Sequence, residues 1–304
     1  FVGRHCLPRL TELWDDVHAV VRERTLPQLT GVRVQQVDLF DPAAVDRLVK
    51  EVRPSHLLHL AWNALPGEFW TSHDNLDWIG ASLHLVRRFV ECGGTRLVVA
   101  GTCAEYAPSS EPMDEASTPC RPTSLYGTSK HALHQVLSAF AAGSGLSLAW
   151  GRLFGLFGPH EHPQRLVAST VRSLLNGEPV ACTSGLQERD FLHVRDAADA
   201  LVTLLGSSFE GAVNIASGRA VTVREVVTRL ADLLGQPASI DFGARPAPAD
   251  DLKRVAARID RLRDGLGWRP SLTLHEGLTQ TVQWWRRRHR DRDPRAQPRS
   301  GDAA

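Results

Sequence analysis

The segment RLVVAGT, from Arg96 to Thr102, indicates the fold of this chain. It is an apolar run that stops at a glycine and a threonine, as a buried strand does where it reaches the carboxyl edge of a parallel sheet. Ligands of open α/β sheets bind beyond that edge. Thr102 is therefore a candidate for contact with a bound molecule.

Strand patterns and helix patterns alternate around this segment. Residues 16–21, 32–40, 56–62 and 146–154 read as further strands. Helical patterns such as DPAAVDRLVKEV and ASLHLVRRFVECGG lie between them, and the second ends in glycines that suit a helix C-terminus. The alternation predicts an α/β fold with a doubly wound parallel sheet over residues 1–154.

The second half of the chain is less regular. We expect residues 155–285 to form mainly a smaller C-terminal α/β lobe that binds substrate, with residues 189–206 returning to the first domain. Residues 286–304 are polar and have no apolar face, which predicts a disordered tail.

Composition excludes several classes of protein. The chain has 304 residues, 42% of them hydrophobic, and a formal net charge of +1, so we expect no nucleic-acid or membrane partner. No apolar run approaches the length of about 20 residues that spans a membrane. Five cysteines in no repeating spacing are typical of free thiols in a reducing cytoplasm, where we place the protein.

The segment SLYGTSKHAL, from Ser124 to Leu133, places Tyr126 and Lys130 four residues apart. On a helix such residues share a face. A free tyrosine is a poor base at neutral pH, but a nearby ammonium favours the phenolate and can bring the pKa towards the working range. The spacing alone is also that of an ordinary surface pair. Thr102, at the end of a strand upstream, favours the interpretation of Tyr126 and Lys130 as a proton-transfer pair.

Seven segments in this order resemble the extended short-chain dehydrogenase/reductase family, whose NAD(P)-dependent epimerases, dehydratases and ketoreductases act on nucleotide sugars. The resemblance covers the chain from Phe1 to about Trp285. The segments are FVGRH (1–5), LLHLAW (57–62), TCAEY (102–106), YGTSK (126–130), GRLFGLFGP (151–159), RDFLHVRDAADAL (189–201) and GWRPSLTLHEGLTQTVQWW (267–285). The resemblance implies a Rossmann-like first domain.

The resemblance also implies the catalytic residues. Tyr126 would be the general acid/base, and Lys130 would lower the pKa of Tyr126 and hold the nicotinamide ribose. Thr102 would orient the sugar oxygen, while the cofactor carries the hydride.

Cofactor contacts follow from the same resemblance. Gly3 looks like the last glycine of the family's Gly-rich loop, so the first strand and the earlier glycines would precede Phe1. We therefore expect the working protein to carry at least about ten more residues, since those glycines let the backbone approach the pyrophosphate. The expected cofactor contacts are Phe1, Val2, Gly3, Arg22, Arg24, Asp38, Leu39, Leu60, Ala61, Trp62, Tyr126 and Lys130. Arg22 and Arg24 follow the strand at residues 16–21, which corresponds to the second strand of the family's fold. Arginines at this position favour NADP, and NAD is the alternative.

The residues after Thr102 favour some of the family's reactions over others. The family's sugar 4,6-dehydratases have Asp and Glu there, whereas this chain has Cys103 and Ala104 and displaces Glu105 by one position. Alternate strand residues point to opposite faces, so Glu105 should not replace the missing pair. An NADP-dependent ketoreductase acting on a nucleotide-activated deoxysugar is the leading interpretation, and an NAD-dependent epimerase is the alternative. A catalytically idle dinucleotide sensor is the third.

Substrate contacts are expected from a scattered set of residues. They are Asn63, Cys103, Ala104, Gly155, Gln187, Arg189 and Arg245. Gly155 stands where the family usually has asparagine, which leaves the sugar undetermined. We expect no metal, because His160 and His162 have no third ligand in view. Apolar stripes on two helices, residues 78–90 and 132–140, suggest a homodimer.

Overall fold

The computed structural model describes residues 1–22, 30–248 and 251–291. In chain order its helices and strands are α1 (Val2–Leu13), β1 (Val17–Val21), β2 (Val32–Gln36), α2 (Pro42–Val52), β3 (His56–His59), α3 (Asp74–Glu91), β4 (Arg96–Thr102), α4 (Leu125–Ser144), β5 (Ser147–Leu153), β6 (Gly155–Phe157), α5 (Leu166–Leu175), β7 (Val180–Cys182), β8 (Glu188–His193), α6 (Val194–Leu205), β9 (Gly211–Ile215), β10 (Ala220–Thr222), α7 (Val223–Leu234), β11 (Ile240–Phe242), β12 (Arg254–Val255) and α8 (Leu274–Arg290). Short helical turns lie at Cys103–Glu105, Pro237–Ser239 and Arg261–Gly265.

The central sheet contains four parallel strands in the order β3-β4-β5-β9. β4 is buried along its whole length, as its apolar sequence predicts. The register pairs Thr102 with Leu153 and Leu153 with Ile215, so three strands end together. Thr102 therefore lies at the carboxyl edge of the sheet.

Helices cover both faces of this sheet. Leu97 and Val99 of β4 pack in the core beneath α3 and α4, whereas Val98 packs in the core beneath α6. The two-residue alternation of a strand explains this division. Helix α1 lies against α6 and completes that face. The Rossmann-like, doubly wound α/β fold is thus confirmed.

A cavity divides the parallel strands. β1 and β2 form a separate parallel pair, and a cavity of about 620 Å³ lies between β1 and β3. Residues 17–21 line one side and residues 56–61 the other, while α1 lines one face and α2 and α3 line the opposite face. Within the described residues, neither β1 nor β3 has a strand partner across this cavity.

A smaller lobe is built from the C-terminal half. β8 lies between β10 and β12 and also pairs with β6, and β7 pairs with β11. Helices α5, α7 and α8 share one apolar core, which includes Phe157, Val171, Val226, Leu230 and Leu278.

The division between the two domains differs from the expectation in one respect. Helix α6 packs against the central sheet, whereas residues 189–193 belong to β8 in the smaller lobe, so only the later part of the 189–206 segment returns to the first domain. β9 joins the sheet beside β5, because Val213 and Ile215 are apolar side chains that become fully buried there. Leu262 and Trp268 also belong to that core.

The predicted disordered tail begins too early. Helix α8 continues to Arg290, so residues 286–290 are helical. Thr273 and Glu276 form a capping box at its start, and basic residues fill its last turn, where they complement the helix dipole. Residues 292–304 lie outside the described part of the chain. None of the helices described has both the length and the apolar character needed to cross a bilayer.

Candidate active site

Thr102 is the last residue of β4 and also begins the tight turn Cys103–Glu105. The Ala104 N–H donates a hydrogen bond to the Thr102 hydroxyl oxygen at 3.2 Å. The Thr102 N–H donates one to a Glu105 carboxylate oxygen at 2.8 Å. This reciprocal pair is a capping box, which fixes the Thr102 side chain at the carboxyl edge of the sheet.

Tyr126 lies in the first turn of α4, directly beside the Thr102 turn. Ser124 caps the helix by accepting a hydrogen bond from the Gly127 N–H at 3.1 Å. Position 127 requires glycine, because a Cβ there would overlap the carbonyl oxygen of Ala104. This close approach places Tyr126 beside the turn that Thr102 begins.

The pKa of Tyr126 is raised to about 12, mainly by burial. A hydrogen bond with Thr102 and the positive charge of Arg165 oppose this rise. The expectation that Lys130 brings this pKa towards neutrality is not met in the structure, because burial of the phenol outweighs the charges around it. Tyr126 is therefore protonated at neutral pH and suited to donating a proton.

Lys130 lies one helical turn further along α4 and is buried. Its Nζ donates a hydrogen bond to the carbonyl oxygen of Ala100 at 2.9 Å and lies 4.0 Å from the centre of the Trp62 ring. Burial lowers the pKa of Lys130 to about 7. An ammonium has three donors, so two N–H groups remain for hydroxyls of a ligand.

Asn75, which was not among the residues expected from the sequence, connects the two sides of this site. Its side chain accepts a hydrogen bond from Trp62 Nε1 at 2.8 Å and donates one to the carbonyl oxygen of Phe69 at 2.8 Å. The rings of Phe69 and Trp70 meet the Tyr126 ring edge-on, at centroid distances of 4.8 and 5.7 Å. An asparagine in the first turn of a helix, where its side chain readily bonds nearby backbone, is the signal for this role.

The residues expected to bind cofactor occupy three places. Phe1, Val2 and Gly3 form the start of α1, and an added Cβ on Gly3 would lie 3.6 Å from Leu60. Leu60, Ala61 and Trp62 follow β3, and Asp38 and Leu39 follow β2. Arg22 follows β1 and is exposed, while Arg24 lies outside the described residues. Their roles stay predictions.

The residues expected near the sugar lie in two groups. Cys103 and Ala104 belong to the turn beside Tyr126, and burial raises the pKa of the Cys103 thiol to about 12. This thiol is protonated and unsuited to act as a nucleophile. Asn63 donates a hydrogen bond to Asp74 at 3.0 Å.

The second group lies in the smaller lobe. A Cβ at Gly155 would lie only 2.7 Å from the carbonyl oxygen of Asp190, so β6 can pair with β8 only if this position has no side chain. Arg189 forms an ion pair with Asp251, and Gln187 donates a hydrogen bond to Thr183 at 3.3 Å.

Arg245 is the most accessible of the expected phosphate contacts. Its side chain is exposed, whereas the guanidinium of Arg189 already donates to Asp251 and, at 2.7 Å, to the carbonyl oxygen of Leu252. A phosphate at Arg189 would therefore compete with existing partners, and one at Arg245 would not displace a described side chain.

One group of three described side chains could ligate a metal. Potential ligand atoms of Glu105, His131 and His134 all lie within 4.8 Å of one another. The histidines of the 159–163 loop, which the sequence analysis considered, do not belong to it. Glu105 already accepts a hydrogen bond from Arg152 Nε at 3.0 Å, and this guanidinium charge opposes a metal cation.

A second buried acid, Glu161, lies in the loop before α5. It is 4% exposed, and its Oε2 atom has no hydrogen-bond partner among the described residues. Burial raises its pKa to about 8, and the charge of Arg165 acts in the opposite direction. The charge of the same arginine also lowers the pKa of Tyr126, against the effect of burial. Neither residue is expected from the sequence pattern.

Replacing Glu161 by glutamine is expected to stabilise the protein more at pH 9 than at pH 5. The raised pKa means that Glu161 is neutral in the folded protein below about pH 8 and carries a buried charge above it. The contribution of Glu161 to the free energy of unfolding therefore falls as pH rises from about 4.3 towards 8. Thermal midpoints at the two pH values measure the effect. The same change at the exposed Glu68 should produce no pH-dependent gain, and equal shifts in both variants would contradict the assignment.

A doubly wound parallel sheet with a threonine, a tyrosine and a lysine at its carboxyl edge defines a class of protein: the nicotinamide-dependent oxidoreductases of the short-chain type. Comparison with known sequences identifies the family within that class. The chain belongs to the NAD dependent epimerase/dehydratase family, whose pattern matches residues 1–216.

Individual relatives agree with this assignment. UDP-glucuronic acid decarboxylase 1 of Danio rerio is 28% identical over 94% of this chain and 71% of its own length. The crystal structure of UDP-glucose 4-epimerase from Thermus thermophilus, in complex with NAD, is 28% identical with a TM-score of 0.82, covering 94% of this chain and 96% of that one. MoeE5, in complex with UDP-glucuronic acid and NAD, is 31% identical with a TM-score of 0.81, covering 95% and 96%. The chain is thus a member of an enzyme family that includes NAD-dependent nucleotide-sugar epimerases, dehydratases and decarboxylases.

Proposed function

We propose that this enzyme reduces a keto group on a nucleotide-activated deoxysugar, with NADPH as the hydride donor and Tyr126 as the proton donor. The observation that carries the proposal is the packing of α4, which carries Tyr126 and buried Lys130, against the turn that follows Thr102 at the carboxyl edge of the sheet. The raised pKa of Tyr126 favours the protonated phenol that a reduction requires.

The side chains supply the proton chemistry. The substrate carbonyl oxygen accepts hydrogen bonds from Thr102 and Tyr126, and Tyr126 gives its proton to that oxygen as the carbonyl becomes a hydroxyl. A reduced nicotinamide, when bound, supplies the hydride. The positive charge of Arg165 stabilises the phenolate left on Tyr126 until it takes a proton from solvent.

The residues present fit a nicotinamide dinucleotide. Lys130 retains two N–H groups after its bond to Ala100, which suits the two hydroxyls of a ribose. Arg22 presents an exposed guanidinium after β1, where the resemblance places the adenosine ribose. These two positions are the chain's candidates for holding the two ends of the cofactor.

None of the three residues that follow Thr102 supplies the acid or base that elimination of water requires. Ala104 has no polar side chain, and the raised pKa of Cys103 keeps its thiol protonated. Glu105 is fully buried and bonded beneath the turn, so it does not replace the missing acid or base. This supports a reductase or an epimerase over a dehydratase.

Replacing Arg22 by aspartate is expected to reverse the cofactor preference. A guanidinium suits the 2′-phosphate of NADP, whereas a carboxylate suits the 2′-hydroxyl of NAD and repels the phosphate. We expect the ratio of NADPH to NADH affinity to fall by about 10- to 100-fold, equivalent to about 1.4–2.8 kcal/mol. Titration of both cofactors against the two proteins measures this ratio. Arg33→Asp, on the exposed part of β2, is the control for net charge, and an equal change in that variant would refute the role of Arg22.

The test of the proposed reaction is the loss of reduced-nicotinamide absorbance on addition of nucleotide 4-keto-6-deoxysugars. Oxidation of NADPH with formation of the reduced sugar supports the reductase. No oxidation of NADPH or NADH by any member of the panel would refute it.

An NAD-dependent epimerase is the second candidate. The observation that favours it is the pair of solved relatives above, both in complex with NAD and one of them a UDP-glucose 4-epimerase. Release of NAD from heat-denatured protein, together with interconversion of UDP-sugars without added cofactor, would support this candidate over the reductase.

We also propose a homodimer formed through α3 and α4. Leu133 and Leu137 pack on the sheet, but Leu76 and Val136 are exposed apolar side chains on the same two helices. The mass of the protein in solution tests this pairing.

We further propose that one more parallel strand fills the cavity between β1 and β3. The support is the cavity itself, whose two sides are unpaired strand edges and whose faces are covered by helices. Strands in a sheet lie about 4.8 Å apart, so an added strand would join the two groups of strands into one continuous sheet. Its carboxyl end would lead into Phe1, Val2 and Gly3.

A further inference from the structure

Glu105 has no part in the proton transfer described above, yet it is the most thoroughly bonded acid beside the site. It is fully buried, and its Oε1 atom accepts hydrogen bonds from the Thr102 N–H and from Trp150 Nε1, both at 2.8 Å. Its Oε2 atom accepts one from Arg152 Nε at 3.0 Å. A buried carboxylate needs such partners because its desolvation is otherwise costly.

The main chain is adapted to this carboxylate. An added Cβ at Gly101 would lie 2.7 Å from Glu105 Oε1 and would overlap the indole nitrogen of Trp150. Glycine at this position of β4 therefore makes room for the acid beneath the end of the strand. Glu105 ends the turn that Thr102 begins, so the acid lies within three residues of the Thr102 hydroxyl.

The capping box determines how the Thr102 hydroxyl is used. The hydroxyl oxygen of Thr102 accepts a hydrogen bond from the Ala104 N–H. The hydroxyl hydrogen is therefore free to point at Tyr126 or at a substrate oxygen. The box is closed on its other side by Glu105, which accepts the Thr102 N–H. Glu105 thereby fixes the backbone from which the hydroxyl projects.

Arg152 holds the carboxylate in place from β5. Its NH1 donates to the Tyr106 hydroxyl at 2.8 Å, and Tyr106 donates to Asn214 of β9 at 2.8 Å. Hydrogen bonds thus connect the end of β4 with β5 and β9 beneath the Cys103–Glu105 turn. The guanidinium also pairs with the charge of Glu105, which raises the pKa of Tyr126.

We propose that Glu105, held by Arg152, is a positioning residue that orients the Thr102 hydroxyl through the Thr102 N–H. This role deepens the proposed function and rests on it for its catalytic consequence. Glu105 touches neither substrate nor cofactor. Its contribution comes through the acceptor atom Oε1, and the charge on Oε2 serves to pair Arg152.

Two double variants separate the acceptor from the charge. Removing Arg152 alone would leave a buried unpaired carboxylate, so both members are changed together. Glu105→Gln with Arg152→Met keeps an oxygen that can accept the Thr102 N–H, whereas Glu105→Val with Arg152→Met removes it. Glu225→Val with Arg229→Met makes the same change at an ion pair on α7, away from the site.

The valine variant is expected to lower kcat by about 10- to 100-fold with little change in KM, because small misplacements of a catalytic group have effects of that size. The glutamine variant and the α7 control should stay close to wild type. Thr102→Ala should cost far less in the valine background than in wild type, since the hydroxyl is already misplaced there. Equal kcat in the valine and glutamine variants, or equal costs of Thr102→Ala in both backgrounds, would overturn the proposal.

Amide hydrogen exchange provides a readout that does not depend on turnover. The Thr102 N–H should exchange slowly in wild type and in the glutamine variant, and much faster in the valine variant, while the Val98 N–H in the middle of β4 stays slow in all of them. An unchanged Thr102 amide in the valine variant would overturn the positioning role even if catalysis is confirmed. Absence of any turnover in wild type would instead refute the proposed function, and the exchange result would still decide the role of Glu105.

Discussion

Replacing Tyr126 by phenylalanine is expected to lower the rate of sugar reduction by about 10²- to 10⁴-fold, the range that general acid catalysis contributes. The variant keeps the ring that contacts Phe69 and Trp70 and loses only the phenol hydroxyl. Cofactor binding should therefore persist, with the loss confined to the chemical step. Single-turnover loss of NADPH absorbance, with NADPH affinity measured separately, distinguishes these effects.

The control for this variant is Thr128→Ala, an exposed change two residues further along the same helix. It should leave the rate near wild type. A Tyr126→Phe enzyme that still turns over at a similar rate would show that another group donates the proton. A variant that loses NADPH binding and turnover together would show that the hydroxyl holds the cofactor instead.

The sequence predicted the parts of the site that depend on local pattern. The apolar run of β4 identifies a buried central strand, and its end at Thr102 coincides with the edge where three strands stop. The spacing of Tyr126 and Lys130 places them on one helix. These features follow from periodicities of two and of 3.6 residues, which a sequence displays directly.

The environment of those residues could not be predicted in the same way. Spacing puts Lys130 on the same face as Tyr126, but only the packed structure shows that burial raises the pKa of the phenol and that the lysine bonds the carbonyl of Ala100. Glu105 forms a local capping box with Thr102, but its other partners, Trp150 and Arg152, are more than 40 residues away in sequence. Burial and long-range hydrogen bonds depend on tertiary packing, which no local pattern encodes.

An apolar strand fused ahead of Phe1 is expected to raise both the thermal midpoint and the affinity for NADPH. Phe1 lines the cavity between β1 and β3 and is itself 39% exposed, so a segment joined there can reach the unpaired edges. A strand of about five residues, followed by a turn that supplies the earlier glycines of the pyrophosphate loop, would satisfy backbone groups on both edges. Each kcal/mol gained in the free energy of unfolding should raise the thermal midpoint by about 2–4 °C.

The matched control carries the same glycine turn behind a strand whose apolar residues are replaced by aspartate and serine. Because the cavity is enclosed by helices α1, α2 and α3, charged side chains should not enter it, and this control should gain neither stability nor affinity. Equal gains in both fusions would mean that the added glycines act without a strand in the cavity. A rise in midpoint with no rise in NADPH affinity would confirm the strand and separate it from cofactor binding, since the sheet would then be completed without forming a pyrophosphate site at the start of α1.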